Sequence, residues 1–361
     1  MAIDIRSRRG DAVTRSWHHA LMTQSRISKV RMKDVAEHAG VSTRTVSNVV
    51  NDFVHVSPQM RELVQRSLDA LGYQMDYVAR GLRSGRTGFV ALVVPNLSEP
   101  YFAELAEAVI RAARRNHLIV LVEATGGDPD VELGVMRGAL ANVADGVLLS
   151  SVSATIQGAP EGAVVMLGEH AASPELRHVG IDNVAAARTV VEHLLEQGYQ
   201  RIAALGVQDT DTARQRYEGF RQALAVAGGK EAKALEIIDH TWSPQAGYDA
   251  VLQMLRRRTK LPDAIFAFND SLAIGVLRGL HDKQISVPGE IAVAGIDDIT
   301  QSAFVSPPLT TIAPDLDELA TQALDLLADQ VAGRSSPHIP TRQTMTSFRL
   351  IVRASTRALQ S

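Results

Sequence analysis

From Thr87 onward, short apolar runs alternate with amphipathic stretches of helical period, and few folds accommodate that pattern. Runs near 88–95, 117–123, 145–151, 163–168, 200–206, 234–239, 263–268 and 290–296 read as strands. Helices fit near 99–116, 128–142, 183–198, 212–228, 244–258, 270–283 and 314–332, and Ser347–Ala354 reads as a last strand. Such βα alternation calls for mainly parallel sheets with helices on both faces. Roughly 270 residues of it are better divided into two similar lobes than gathered on one core. The expected division puts 87–180 and 297–312 in the first lobe and 181–296 and 313–361 in the second, with crossings near 180–182 and 295–315. Ligands of such sheets bind beyond the carboxyl ends of the strands, here between the lobes.

The N-terminal part has another character. Within DVAEHAGVSTRTVSNVVN (Asp34–Asn51) two short helices are expected, with Gly40 at the tight turn, Val41 as an apolar plug and Ser42 capping the second helix, Thr43–Val50. Val46, Val49 and Val50 fall on one face of that helix, able to pack on Val35, Ala36 and Ala39. Arg44, Ser47, Asn48 and Asn51 share the other face at i, i+3, i+4 and i+7 spacing. A guanidinium fork, amides and hydroxyls in that arrangement suit base edges in a major groove, although a bare helix pair more often shows such a face to water. A third helix follows, with Ser57 as N-cap, Pro58 in the first turn, Gly72 at its end and Leu63, Val64, Leu68 and Leu71 as the buried stripe. His55, Val56 and Ser57 precede it in a loop that could meet phosphates. The stretch Asp76–Ser84, too short for a stable helix in water, is expected to order on DNA. Residues 1–29 read either as a disordered tail or as sequence upstream of a start at Met22.

Charge supports the division. The net charge of −3 conceals fourteen Lys/Arg against eight Asp/Glu through Arg86, and 23 against 32 beyond it. A basic head on an acidic body points to a nucleic-acid partner for the head alone. The chain has no cysteine, which excludes disulfides, thiolate-held zinc and thiol catalysis. No signal-peptide core or membrane-length apolar run is present, so a cytoplasmic, nucleoid-associated protein is expected.

The helix pair, the VSPQMRELV helix and the YVARGLRSGRT joint together resemble the lactose/galactose repressor (LacI/GalR) family of bacterial regulators. The likeness runs from Arg31 to Thr356 through VVPNLSEPYFAEL, VGIDNVAAA, RQRYEGFRQAL, DAIFAFND, VAGIDD and PPLTTIAPD in family order. It implies a small all-α helix-turn-helix DNA-binding domain (30–75), a hinge helix or linker (76–86) and an α/β two-lobed, type I periplasmic-binding-protein-like effector and dimerisation domain (87–361). It implies operator contacts at Ser42, Thr43, Arg44, Ser47, Asn48 and Asn51, with Thr43, Arg44 and Asn48 at positions that vary with operator sequence. His55, Val56, Ser57, Tyr73, Ala79 and Leu82 complete the expected DNA-contacting set, Leu82 as a minor-groove wedge. Met75 and Asp76 depart from the family's usual Pro-Asn; Asp76 can still cap the hinge helix, but its carboxylate would lie near phosphates.

In the cleft the resemblance places Asn96, Tyr101, Phe102, Glu169, Arg216, Trp242, Asn269 and Asp297. Carboxylates, amides and an Arg can pair with sugar hydroxyls, and aromatic rings can cover a sugar's apolar face. Phe102 serves a core equally well, and Asp182, Asp270 and Asp298 read better as caps than as ligands. The function implied is a dimeric regulator, most often a repressor in this family, whose hold on a pseudo-palindromic operator responds to a small effector, a sugar or sugar derivative. No cofactor or metal is called for. A chain without a Leu-heptad tail is expected to stop at the dimer. The alternatives are an orphan regulator without effector control, a sugar receptor serving a transporter, and an enzyme. The last two fit poorly, because a DNA head is present and H-E-x-x-H, G-x-S-x-G, Walker A and G-x-G-x-x-G motifs are not.

Overall fold

The computed structural model describes residues 30–50, 53, 55–73, 86–151, 159–168, 176–227, 230–231, 242–257, 260–334 and 344–356. The tail, Asn51, the hinge with Met75, Asp76, Ala79 and Leu82, Glu169 and the strand expected at 234–239 lie outside the described residues. The chain divides into two compact units, Met1–Arg80 and Gly81–Ser361.

The first unit contains α1 (Met32–Ala39), α2 (Thr43–Val50) and α3 (Pro58–Leu71). Asp34 accepts the Arg31 N–H at 2.7 Å, closing the start of α1, and Gly40 ends it with φ +66. The Ser42 hydroxyl accepts the Thr45 N–H at 3.0 Å, and Ser57 accepts that of Met60 at 3.3 Å, so both expected caps form. Val35, Ala36, Ala39, Val46, Val49, Val64 and Leu68 make one small core, with Val50 and Leu71 at its margin. Leu63 is a correction. It was expected in the buried stripe, but it points outward on α3, 37% exposed.

Among the described residues the second unit carries two six-stranded sheets. The first runs β11-β5-β4-β3-β1-β2, with β1 (Phe89–Val94), β2 (Ile119–Ala124), β3 (Gly146–Ser150), β4 (Val164–Leu167), β5 (Arg177–Ile181) and β11 (Thr344–Thr346), every pair parallel. The other runs β12-β10-β9-β8-β6-β7, with β6 (Arg201–Leu205), β7 (Lys230–Glu231), β8 (Ala264–Ala267), β9 (Ala292–Ile296), β10 (Thr310–Pro314) and β12 (Phe348–Ile351). Only β12 is antiparallel, against β10. Helices α4 (Pro100–Arg115), α5 (Pro129–Met136) and α10 (Leu316–Val331) cover the first sheet; α6 (Asn183–Glu196), α7 (Asp211–Ala227), α8 (Pro244–Arg256) and α9 (Asp270–Asp282) cover the second.

Both faces of each sheet are buried, which is why the strands read as continuous apolar runs. Val90, Leu92 and Val94 face α4 and α10, whereas Ala91 and Val93 face α5. In the other lobe, Ile202 and Ala204 meet α6 and α7, while Ala203 and Leu205 meet α8 and α9.

The expected lobe boundaries need correction. Residues 297–312 do not return to the first lobe, because β10 pairs with β9 in the second sheet, Thr310 opposite Ala294. Residues 313–361 are not all second-lobe either. Helix α10 buries Leu319, Ala320, Ala323, Leu324 and Leu327 against β1 and α4, and β11 joins β5 with Thr344 opposite Val179. The chain therefore crosses three times, after β5, after β10 and between β11 and β12. Strand β5 was not expected, since RHVGI opens on Arg and His. The helix expected over 128–142 stops at Met136, followed by Gly138 at φ +80.

Candidate functional site

Each unit presents one group of side chains suited to recognition. On the head, Ser42, Thr43 and Arg44 at the start of α2 are exposed, while Ser47 and Asn48, a turn further on, are half-buried. Val46 and Val49 on the reverse side hold the helix to the core, so its polar face is fixed in direction. His55 is exposed and meets the Phe53 ring edge-on at 5.5 Å. Phe53, itself 52% exposed, was not singled out in the sequence, although an aromatic beside His55 in a polar loop is a readable signal. Val56 and Tyr73 pack at the margin of the head core, and Ser57 is engaged as the cap of α3.

In the second unit a cavity of about 600 Å³ opens between the lobes. Seven of the eight expected cleft residues line it: Asn96, Tyr101, Phe102, Arg216, Trp242, Asn269 and Asp297. Both sheets reverse their strand order at the first strand, β1 and β6, and the cavity lies beyond the carboxyl ends of these and neighbouring strands, where the crossover pattern leaves a crevice. Asn96 follows β1; its carbonyl oxygen accepts from the Ser98 hydroxyl at 3.0 Å and the Glu99 N–H at 2.8 Å. Tyr101 and Phe102, at the start of α4, meet edge-on at 5.4 Å, and Phe102 also packs on the first-lobe core.

Arg216 anchors the second-lobe wall. It is 7% exposed and donates from Nε to Asn183 Oδ1 at 2.6 Å and from a terminal nitrogen to the Phe268 carbonyl. Its other terminal nitrogen stands 3.7 Å from Asp297, and its guanidinium carbon 5.5 Å from the centre of the Trp242 ring. Trp242 donates to the Gly206 carbonyl at 3.1 Å. Asn269 caps α9 by accepting the Leu272 N–H at 2.9 Å, donates to the Trp242 carbonyl at 3.3 Å and lines the cavity.

Asp297 and Asp298 sit at φ +127 and +50, a region that side chains rarely adopt. Such strain is retained where surrounding bonds over-determine it, often at a ligand site. Here the Asp297 N–H donates to the Ile312 carbonyl at 2.9 Å, and Asp298 pairs with Arg353 at 2.7 Å. Burial pushes the Asp297 carboxyl well above its usual range; Arg216 opposes this, while Asp270, Glu99 and Glu104 reinforce it. Burial likewise raises Glu99, partly offset by the bond it accepts from Ser271.

Of the three expected caps, Asp182 accepts the Ala185 N–H at 2.8 Å and caps α6. Asp270 does not cap its helix. Fully buried, it accepts from the Ser302 and Thr311 hydroxyls, both at 2.6 Å, and from the Ile299 N–H at 3.2 Å, and burial pushes its carboxyl up to about 6. Asp298 pairs with Arg353 instead of capping.

Sequence reasoning passed over Glu99, Asn183 and Ser151 in the cavity wall, and Glu132 behind it. Glu99 accepts from Ser271, and Glu104 accepts the Thr300 N–H at 2.8 Å; both bonds join the lobes. Among the described residues no His, Asp or Glu cluster suited to a metal occurs, and no helix is long and apolar enough to cross a membrane.

Residues 31–76 match the profile of bacterial regulatory proteins of the lacI family, and residues 191–356 that of a periplasmic binding protein-like domain. The HTH-type transcriptional repressor PurR of Mannheimia succiniciproducens is 30% identical over 312 residues, 84% of this chain and 93% of that one. The chain belongs to the lacI family. Like other lacI-family proteins it is a transcription regulator and not an enzyme, with a helix-turn-helix head and a periplasmic-binding-protein-like body. Among solved lacI-family structures, the lac repressor dimer bound to operator and the anti-inducer ONPF superposes with TM-score 0.71 at 25% identity, covering 92% of this chain and all of that one. The complex of the transcriptional regulator CelR with cellobiose superposes with TM-score 0.63 at 28% identity, covering 91% of this chain and all of that one.

Proposed function

We propose that this lacI-family chain acts in the cytoplasm as a dimeric repressor whose affinity for a pseudo-palindromic operator is set by a sugar or sugar derivative bound in the interlobe cleft. The observation that carries the reading is the cavity itself, where aromatic rings, amides, Arg216 and Asp297 converge from both lobes. Rings can cover the apolar face of a sugar while the polar groups bond its hydroxyls. Cellobiose and the operator named for the two solved relatives give the same direction.

Thr43, Arg44 and Asn48 read bases, with Ser42, Ser47 and Asn51 beside them. His55, Val56, Ser57, Tyr73 and Ala79 contact the backbone, and Leu82 wedges the minor groove from the hinge. Glu169 joins the cleft set. An effector bonded to Asn96 and Tyr101 on one lobe and to Arg216, Asn269 and Asp297 on the other binds the closed body better than the open one. That difference in affinity is what shifts the equilibrium, and the hinge passes it to the paired heads.

The test is operator binding by fluorescence anisotropy, with sites first mapped genome-wide, across a panel of sugars and nucleosides. At least one compound is expected to change operator affinity tenfold or more. Unchanged affinity across the panel would instead make the protein an orphan regulator. A tetramer by light scattering at micromolar concentration would contradict the dimer.

A further inference from the structure

Charge around the cleft is lopsided. Glu99 and Asp297 stand in its walls, and Glu132 lies directly behind, fully buried, accepting from the hydroxyls of Ser151, a lining residue, and Thr125. A fourth carboxylate, Asp270, is buried one residue after Asn269. Asp209 and Asp211 line the rim, each bonded to Arg214.

Arg216 is the only cationic lining residue among those described. It is already committed in part to Asn183, the Phe268 carbonyl and Asp297. Two of the lining backbone N–H groups are already engaged, and the start of α4, which carries no side-chain cap, has Pro100 in its first turn and the Glu99 carboxyl beside it. The Gly126 N–H donates to the Pro95 carbonyl at 2.8 Å and that of Gly127 to the Thr125 hydroxyl at 3.1 Å. The starts of α6 and α9, which elsewhere could receive a phosphate, are capped by Asp182 and Asn269.

We propose that the cleft selects against negative charge: its effector is an uncharged ring compound rich in hydroxyl or N–H donors, and phosphorylated or carboxylated derivatives of that compound are rejected. This rests on the effector reading above and narrows it. Carboxylates accept hydrogen bonds and, when ionised, donate none, so a donor-rich neutral ligand satisfies the walls. Burial already works against the negative charge of the Glu99 and Asp297 carboxyls, so the same walls resist a ligand's phosphate or carboxylate, by desolvation and by repulsion from whichever wall groups are ionised. At about 6 Å from one ionised carboxylate, with an effective dielectric of about 20, a unit negative charge weakens binding roughly 100-fold.

The experiment is isothermal titration of the full-length protein at pH 7.5 with matched pairs. These are ribose and ribose 5-phosphate, glucose with glucose 6-phosphate and glucuronate, and adenosine and AMP, after a thermal-shift screen of a wider library built on the same principle. Each neutral compound that binds should do so at least about 100-fold more tightly than its charged counterpart. Glu99→Gln, which removes one ionisable wall group and keeps the shape, should narrow that gap by up to about 100-fold. A charged member binding as tightly as its neutral parent, or a gap that Glu99→Gln leaves unchanged, overturns the charge rule while leaving the effector reading intact. A library silent in both its neutral and charged halves removes the effector reading, and the charge rule falls with it.

Discussion

Arg216 holds together what the two halves of the second lobe contribute to the cleft. It reaches Asn183 at the start of α6, the Phe268 carbonyl after β8 and Asp297 after β9, and its guanidinium lies near the Trp242 ring. Arg216→Ala is expected to abolish the effector response while basal operator binding persists; loss of operator binding as well would indicate misfolding. Arg44 poses the same kind of question on the head. A guanidinium bidentate to guanine contributes about 1–3 kcal/mol of discrimination, so Arg44→Ala should relax specificity at one base pair of each half-site by about 5- to 150-fold. Uniform weakening on all sequences would make Arg44 a phosphate contact. Asp270 gives a pH signature. Its carboxyl is raised to about 6 from a model-compound value of 3.8, so between those values the folded chain holds a proton that the unfolded chain has lost. Stability therefore falls as pH rises through that window and the penalty is complete above it. Asp270→Asn should flatten the slope of unfolding free energy against pH between about 4 and 6, as read from urea titrations. An unchanged slope would assign it to other groups.

Elements differ in how far local sequence announces them. Helix α2 was legible to its ends, because a valine face, Gly40 and Ser42 specify its side, its start and its cap without reference to anything distant. Strands β6, β8 and β9 of the second sheet were legible for a similar reason, each lying within an apolar run. Strands β5, β10 and β11 were not, since short strands with polar residues take their identity from the neighbour they pair with. The lobe boundaries failed through the same non-local pairing. Within the candidate cleft, residues next to recognisable motifs were readable, whereas Asn183 matters through Arg216, 33 positions away, and gives no local signal. Helix pairs add a steric constraint. A methyl on Gly275 of α9 would overlap the Pro244 carbonyl at the start of α8, and one on Gly247 would overlap the Leu272 carbonyl, so the two helices meet backbone to backbone. Gly275→Ala should destabilise the body by about 1–3 kcal/mol through forced separation, measurable by chemical denaturation. A neutral result would show that the helices part without cost.

For the whole molecule, a basic N-terminal region precedes an acidic body, and the two carry different recognition tasks. The head meets a polyanion, whose binding weakens steeply with salt, while the cleft is lined by carboxylates. The lobes already touch through Glu99 with Ser271 and Glu104 with Thr300, so a bound effector would tighten contacts that exist and need not create a new interface. Transmission to DNA requires that the same chain bind both ligands with linked affinities. The most direct measurement is therefore the operator dissociation constant of the full-length protein at physiological salt, with and without each sugar or nucleoside of the panel, for the native chain and for Arg216→Ala. The native protein should prefer its palindrome over random duplex by at least about 1,000-fold and change that affinity at least tenfold on adding ligand, with Arg216→Ala keeping the preference and losing the change. Equal binding to palindrome and random duplex, with or without ligand, would contradict it.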